Sequence, residues 1–191
     1  MASIKVVTNN TRHITDFNVQ QTKLGVENKM NAKAAFFTVL LLIFPIIAFS
    51  DTLTGRVVGV ADGDTVTVLD AQHTQHKVRL MGIDAPEKNQ PFGNESKKSL
   101  SDQVFGRTVT VEWTKLDRYG RIIGKIQVDG QDANLAQTRK GLAWHFKKYQ
   151  GEQEPLDRAR YSNAEIEARQ TGKGLWSDAD PIAPWDWRRH K

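Results

Sequence analysis

Residues 52–83 read TLTGRVVGVADGDTVTVLDAQHTQHKVRLMGI, and the fold turns on how that stretch is divided. Short apolar and β-branched runs alternate with polar positions, as half-buried strands require. Two turn signals cut it, Asp62-Gly63 and the polar run 70–75. The division predicts three strands, 52–60, 65–69 and 76–82, joined as a β-meander.

Working outward, a polar loop with Pro91 and Gly93 leads to a predicted helix over 95–105, with Asn94 as N-cap and Gly106 as its stop. RTVTVEWTKL (107–116) and RIIGKIQV (121–128) predict two further strands around the turn DRYG. A short helix follows Asp129-Gly130, with Asp132 as N-cap and Gly141 as stop. A third helix spans 155–170, with Pro155 in its first turn. Its buried stripe is ambiguous: Leu156, Ala159 and Ile166 share one face, while Tyr161, Ala164 and Ala168 share another. The order predicts an α+β fold, a five-stranded OB-type Greek-key β-barrel with three packed helices. Such a barrel does not by itself fix a function.

Upstream of the meander, residues 34–49 (AAFFTVLLLIFPIIAF) carry no charge. The run is short for a membrane span of about 20 residues and suits the apolar core of a signal peptide. Lys29 and Lys33 precede it, and Ala48-Phe49-Ser50 offers a cleavage site after Ser50. Residues 30–50 are therefore expected to be a signal peptide, and 1–29 a polar extension or a stretch preceding the true start at Met30. A secreted or periplasmic protein follows; the alternative is a membrane anchor through 34–49. Residues 51–177 then form the folded domain and 178–191 a Trp/Arg-rich tail. The chain has no cysteine, which excludes disulfides, thiolate metal sites and thiol nucleophiles. Its formal charge is +5, but residues 1–50 hold five of the 27 basic and two of the 22 acidic residues, so the remainder is nearly balanced. A polyanionic partner must be argued from where charges lie.

Three acids and two arginines carry that argument. Asp64 opens the second strand and Asp84 lies just past the third, which a meander pairs with the second, so both carboxylates converge at one rim. Carboxylate and carbonyl oxygens suit hard cations, Ca²⁺ above all. Pro86 restricts Ala85 to an extended conformation that can aim its carbonyl, and Glu87 reaches the same space. Arg79 alternates with Val78 and Leu80 in an apolar strand, where a charge needs a partner or a polar site. Its fork suits phosphate, and Arg121 is a second arginine for the same rim. The inventory fits metal-assisted phosphodiester chemistry, with Glu87 activating water.

DGDTV (62–66), RLMGIDAPE (79–87) and DRYGR (117–121), in this order and with matching internal spacing, resemble the staphylococcal (micrococcal), or thermonuclease-like, nuclease family. The resemblance covers about residues 52–177, including GLAWHFKKY (141–149) and GKGLWS (172–177). It implies a Ca²⁺-dependent endonuclease on an OB-type barrel, cutting DNA and RNA to leave 3′-phosphates. By motif position it implies Asp64, Asp84 and the Ala85 carbonyl as metal ligands, Asp62 as support behind them, and Arg79, Glu87 and Arg121 as the catalytic set. Arg118, Tyr119 and Tyr149 fall at nucleotide-binding positions. Three departures are visible: Ala85 replaces a threonine, the loop 88–93 is shorter, and Lys147 occupies a position usually aromatic.

Other features read more plainly. His73 and His76 are expected at a solvated hairpin tip rather than on a metal, and His145 beside Trp144 in packing. Lys147, Lys148 and Tyr149 fit either a phosphate-binding patch or a solvated loop. In the tail, Trp185 and Trp187 are expected to pack as a satellite cluster, with Arg188 and Arg189 adding nonspecific phosphate attraction. A monomer with no obligate protein partner is expected. The rival function is a catalytically silent nucleic-acid-binding barrel; a third is hydrolysis of small phosphoesters.

Overall fold

The computed structural model describes residues 51–190, with the backbone alone for His190. The apolar segment 34–49, the cleavage after Ser50 and the extension 1–29 lie outside the described residues. Among the described residues no helix is long and apolar enough to cross a membrane.

The meander forms as β1 (Asp51–Asp62), β2 (Thr65–Asp70) and β3 (Gln75–Leu80). β1 is long enough to serve two neighbours. Its first half pairs antiparallel with β5 (Thr108–Leu116), from Asp51↔Trp113 to Arg56↔Thr108. Its second half pairs with β2, ending at Asp62↔Thr65, with register shifts after Val57 and Val60 that bend the strand. β5 pairs antiparallel with β6 (Ile122–Val128), and β6 runs parallel to β3 through Val78↔Ile122, Arg79↔Ile123 and Leu80↔Gly124. That parallel pairing closes five strands into a barrel, the architecture read from the sequence. Val57, Val66, Val68, Val78, Leu80, Val111 and Ile126 fill its interior, all 0–1 % exposed.

The helices cover one end. α1 (Gly93–Val104) buries Leu100 and Val104 against the barrel, and α2 (Ala133–Arg139) buries Leu135. Asp132 caps α2 as expected, accepting from the Leu135 amide at 2.9 Å. Asn94 does not cap α1. Phe92, at φ 64°, holds that position, and the helix starts at Gly93. The reason is a tight reversal: Gln90 N donates to Glu87 O and Gly93 N to Gln90 O. A Cβ on Gly93 would lie 2.0 Å from Glu87 O, so only glycine passes there.

α3 runs Pro155–Gln170, both ends where the sequence placed them. Tyr161, Ala164 and Ala168 form the buried stripe, while Leu156 and Ile166 are exposed. The choice between faces falls to Tyr161, which spans to the barrel base and donates to Asp132 Oδ2 at 2.9 Å. Three two-residue strands complete the frame: β4 (Ile83–Asp84), β7 (Gln131–Asp132) and β8 (Trp144–His145). The tail is structured, with α4 (Pro184–Trp187) followed by a 3₁₀ turn, Arg188–His190. Ala183 joins Trp144, Leu175 and Trp176 in a second apolar cluster against which Trp185 packs, the satellite packing anticipated for the tail. Trp187 ends α4, its buried indole N–H without a hydrogen-bond partner among the described residues.

Candidate active site

The turn between β1 and β2 is fixed from below. The buried Gln137 side chain donates to Gly63 O at 3.0 Å and Ser96 O at 2.9 Å, pinning the turn to α1 and α2. A Cβ on Gly63 would fall 1.9 Å from Ser96 Oγ, so the turn can sit this close only as glycine. Asp62 Oδ1 accepts from the Asp64 amide at 3.0 Å and so orients Asp64. On the other side, β4 pairs with β8, Asp84 opposite Trp144, and Phe146 N donates to Gly82 O at 2.8 Å. Both acids are thus built on rigid backbone.

Arg79 joins them. Its Nη1 lies 2.5 Å from Asp64 Oδ1 and its Nη2 2.5 Å from Asp84 Oδ1, one fork across two carboxylates. Asp64 and Asp84 side chains are 2 % and 0 % exposed. Asp64 Oδ2 accepts from the Ala85 amide at 2.7 Å and Oδ1 from Thr65 Oγ1. Burial pushes the Asp64 carboxyl up to about 6; Arg79 works against that rise and Asp62 adds to it. Burial opposes the charge on Arg79, yet Asp64 and Asp84 outweigh it and hold the guanidinium above its ordinary range.

A second guanidinium enters from the tail. Arg188 Nη2 lies 2.7 Å from Asp84 Oδ2, and Nη1 lies 2.7 Å from Glu87 Oε1 and 3.3 Å from Asp84 Oδ1. Arg188, which the sequence offers as a source of nonspecific phosphate attraction, sits on two of the three acids. The contact spans 104 residues of sequence and leaves no local signature. Gln90 is a second side chain with no sequence signal: it accepts from the Glu87 amide and donates to Ile182 O at 2.6 Å, tying the Glu87 loop to the tail.

The other arginine is held by a different acid. Arg121 Nε donates to Asp117 Oδ2 at 2.7 Å, and its guanidinium lies 5.5 Å from the Tyr119 ring centroid, so it is engaged within its own turn. Arg118 covers the same ring at 4.8 Å, and Tyr119 is 68 % exposed. Tyr149, also exposed, has Lys115 and Lys148 near its ring and Phe146 edge-on at 5.1 Å. Lys147 is not a free cation: its ammonium pairs with the buried Glu165, which also accepts from the His145 amide. His76 pairs with Asp70 at 2.7 Å within the hairpin, and His145 packs against Tyr161.

The family described as staphylococcal nuclease homologue matches residues 77–178, which hold Arg79, Asp84, Glu87 and Arg121. The chain belongs to this nuclease family. An uncharacterized endonuclease of Escherichia coli is 41 % identical over 157 residues, 82 % of this chain and 98 % of that protein. One from Haemophilus influenzae is 41 % identical over 156 residues, 81 % and 84 % of the two chains. A micrococcal nuclease of Shigella flexneri is 35 % identical over 173 residues, 86 % and 96 %.

The donor chemistry fits a hard divalent cation, since buried carboxylate oxygens gather here and Asp64 carries a charge that burial disfavours. Among the described residues no three His, Cys, Asp or Glu side chains come close enough to hold a metal by themselves. Asp64 and Asp84 would therefore need a backbone carbonyl, such as that of Ala85, and water.

Proposed function

We propose that this chain is an exported, Ca²⁺-dependent endonuclease that hydrolyses phosphodiester bonds of DNA and RNA with little sequence preference, leaving 3′-phosphates. The observation that carries the reading is the single guanidinium of Arg79 bridging two buried carboxylates at the barrel rim, beside Glu87. Buried acids clustered this tightly are costly for stability alone and are the ordinary mark of a site. Family membership supports the nuclease class, and the uncharged run 34–49 supports export.

Asp64, Asp84 and the Ala85 carbonyl would hold the cation, with Asp62 keeping Asp64 in place. When bound, the cation would supply charge neutralisation and polarisation of a phosphoryl oxygen. Glu87 takes the proton of the attacking water as its oxygen bonds to phosphorus. The bond from phosphorus to the 5′ oxygen breaks, that oxygen takes a proton from solvent, and the phosphate remains on the 3′ side. Arg79 presents its fork to the charge that grows on the phosphoryl oxygens. Arg121 would join it by leaving Asp117. Tyr119 and Tyr149, exposed and flanked by Arg118, Lys115 and Lys148, offer stacking faces that tolerate any base.

The test is cleavage of single-stranded and plasmid DNA with Ca²⁺ and with a chelator, followed by end analysis. Calcium-dependent products with 3′-phosphate ends are expected. Tight DNA binding without cutting under any divalent ion would favour a silent nucleic-acid-binding barrel instead. N-terminal sequencing of protein recovered outside the cytoplasm should begin at Asp51; a start within 1–30 would contradict removal of a signal peptide.

A further inference from the structure

Asp84 has two carboxylate oxygens, and two different arginines hold them. Oδ1 is shared by Arg79 at 2.5 Å and Arg188 at 3.3 Å, whereas among the described residues Oδ2 accepts from Arg188, at 2.7 Å. The same Arg188 reaches Glu87 at 2.7 Å. We propose that Arg188 sets the cation affinity of this site by acting as a tethered competitor, a guanidinium that a divalent ion must displace from Asp84 and Glu87. The proposal rests on the metal-dependent reading given above and adds to it a residue from outside the acid and arginine motifs.

The competitor is held in place by the docking of the tail. Trp185 stacks on Phe146, ring centroids 5.3 Å apart and planes 15° from parallel, and meets Trp144 edge-on at 5.5 Å. Gln90 grips Ile182 O, and Ala183 and Pro184 are buried. Arg188 follows directly on α4, so its guanidinium cannot diffuse away from the rim, and its effective concentration there is high. Yet the arginine is not part of the core. Its side chain is 41 % exposed, against 18 % for Arg79. Arg79 spans Asp64 and Asp84 from within the barrel wall; Arg188 holds Asp84 and Glu87 from the more exposed side. The Arg188 charge on Asp84 Oδ2 repels a second cation arriving there, and a guanidinium fork offers directed hydrogen bonds where a hard cation demands several oxygens at once. Ion uptake therefore requires the Arg188 fork to swing outward, which its half-exposed position allows without disturbing the Trp185 anchor.

The experiment is calorimetric titration of Ca²⁺ alone into the metal-free full chain, without nucleic acid, for the natural protein, Arg188→Ala, Arg188→Lys and Arg189→Ala. Arg188→Ala should bind Ca²⁺ about three- to tenfold more tightly, as loss of a half-exposed fork on a buried carboxylate implies. Arg188→Lys, which keeps the charge and loses the fork, should fall between. Arg189→Ala should match the natural protein, since Arg189 pairs with Asp186 and touches none of the acids. Unchanged or weaker Ca²⁺ binding by Arg188→Ala, with its melting curve intact, would overturn the competition while leaving the metal site standing. If Arg188→Ala failed to fold, unchanged affinity in Arg188→Lys would overturn it equally. No Ca²⁺ uptake by any of the four proteins would overturn both the competition and the metal-dependent reading.

Discussion

Asp64 and Asp84 are nearly inaccessible carboxylates bridged by the fork of Arg79, and the geometry of that fork decides what a substitution does. Arg79→Lys keeps the charge but offers one ammonium where two parallel N–H groups span two acids. Turnover should fall by about a hundredfold or more, the usual effect of losing a charge-stabilising donor; unimpaired cleavage by Arg79→Lys would make this arginine structural. Gly63→Ala belongs at the same scale, because its Cβ would strike Ser96 Oγ. It should cost about 1–3 kcal/mol in denaturant unfolding, and an unchanged midpoint would show that α1 can yield. These residues were legible in the sequence for a physical reason. An arginine inside an apolar strand and acids at strand ends are local anomalies. Arg188 was not legible, because its role depends on a contact made across the whole chain.

The helices divide by what sets their boundaries. α3 begins at a proline and runs the length read from the sequence, since local backbone chemistry fixes both ends. Its buried face could not be read, because two weak apolar stripes compete and packing alone selects between them. Tyr161→Phe should therefore cost about 1 kcal/mol by removing the hydrogen bond to Asp132. Leu156→Ala and Ile166→Ala, on exposed positions, should stay within about 0.5 kcal/mol of the natural protein. Larger losses at Leu156 and Ile166 than at Tyr161 in thermal unfolding would mean that the helix uses the other face. The start of α1 eluded the sequence for a different reason. Asn94 has the chemistry of a cap, but the reversal over Glu87 makes the helix begin two residues earlier, at Gly93, after a left-handed Phe92.

At the level of the whole molecule, stability should depend on pH through groups buried where the barrel, helices and tail meet. Burial holds the His145 imidazole below its ordinary value of 6.5, with Gln153 opposing that shift and Lys147 reinforcing it. A histidine depressed in the folded state contributes stability that is present above its unfolded value and lost as pH falls below about 6.5. Asp64 works in the opposite sense, since its raised carboxyl favours the folded protein at low pH and loses that advantage as pH rises through about 6. The histidine effect is therefore read as the stability difference between the natural protein and His145→Gln, which should shrink as pH falls; a difference independent of pH would contradict it. The barrel order was legible because alternation and turn chemistry are local, whereas the docking of the tail on Phe146 and Trp144 was foreseen only as aromatic packing. Arg79 and Arg188 gather Asp64, Asp84 and Glu87, and hydrolysis by these acids is tested most directly at Glu87. Steady-state cleavage of a defined single-stranded oligonucleotide with Ca²⁺ should show Glu87→Gln slower by about 10²–10⁴-fold, the range of a lost general base, at an unchanged melting temperature. Near-natural turnover by that variant would contradict the account.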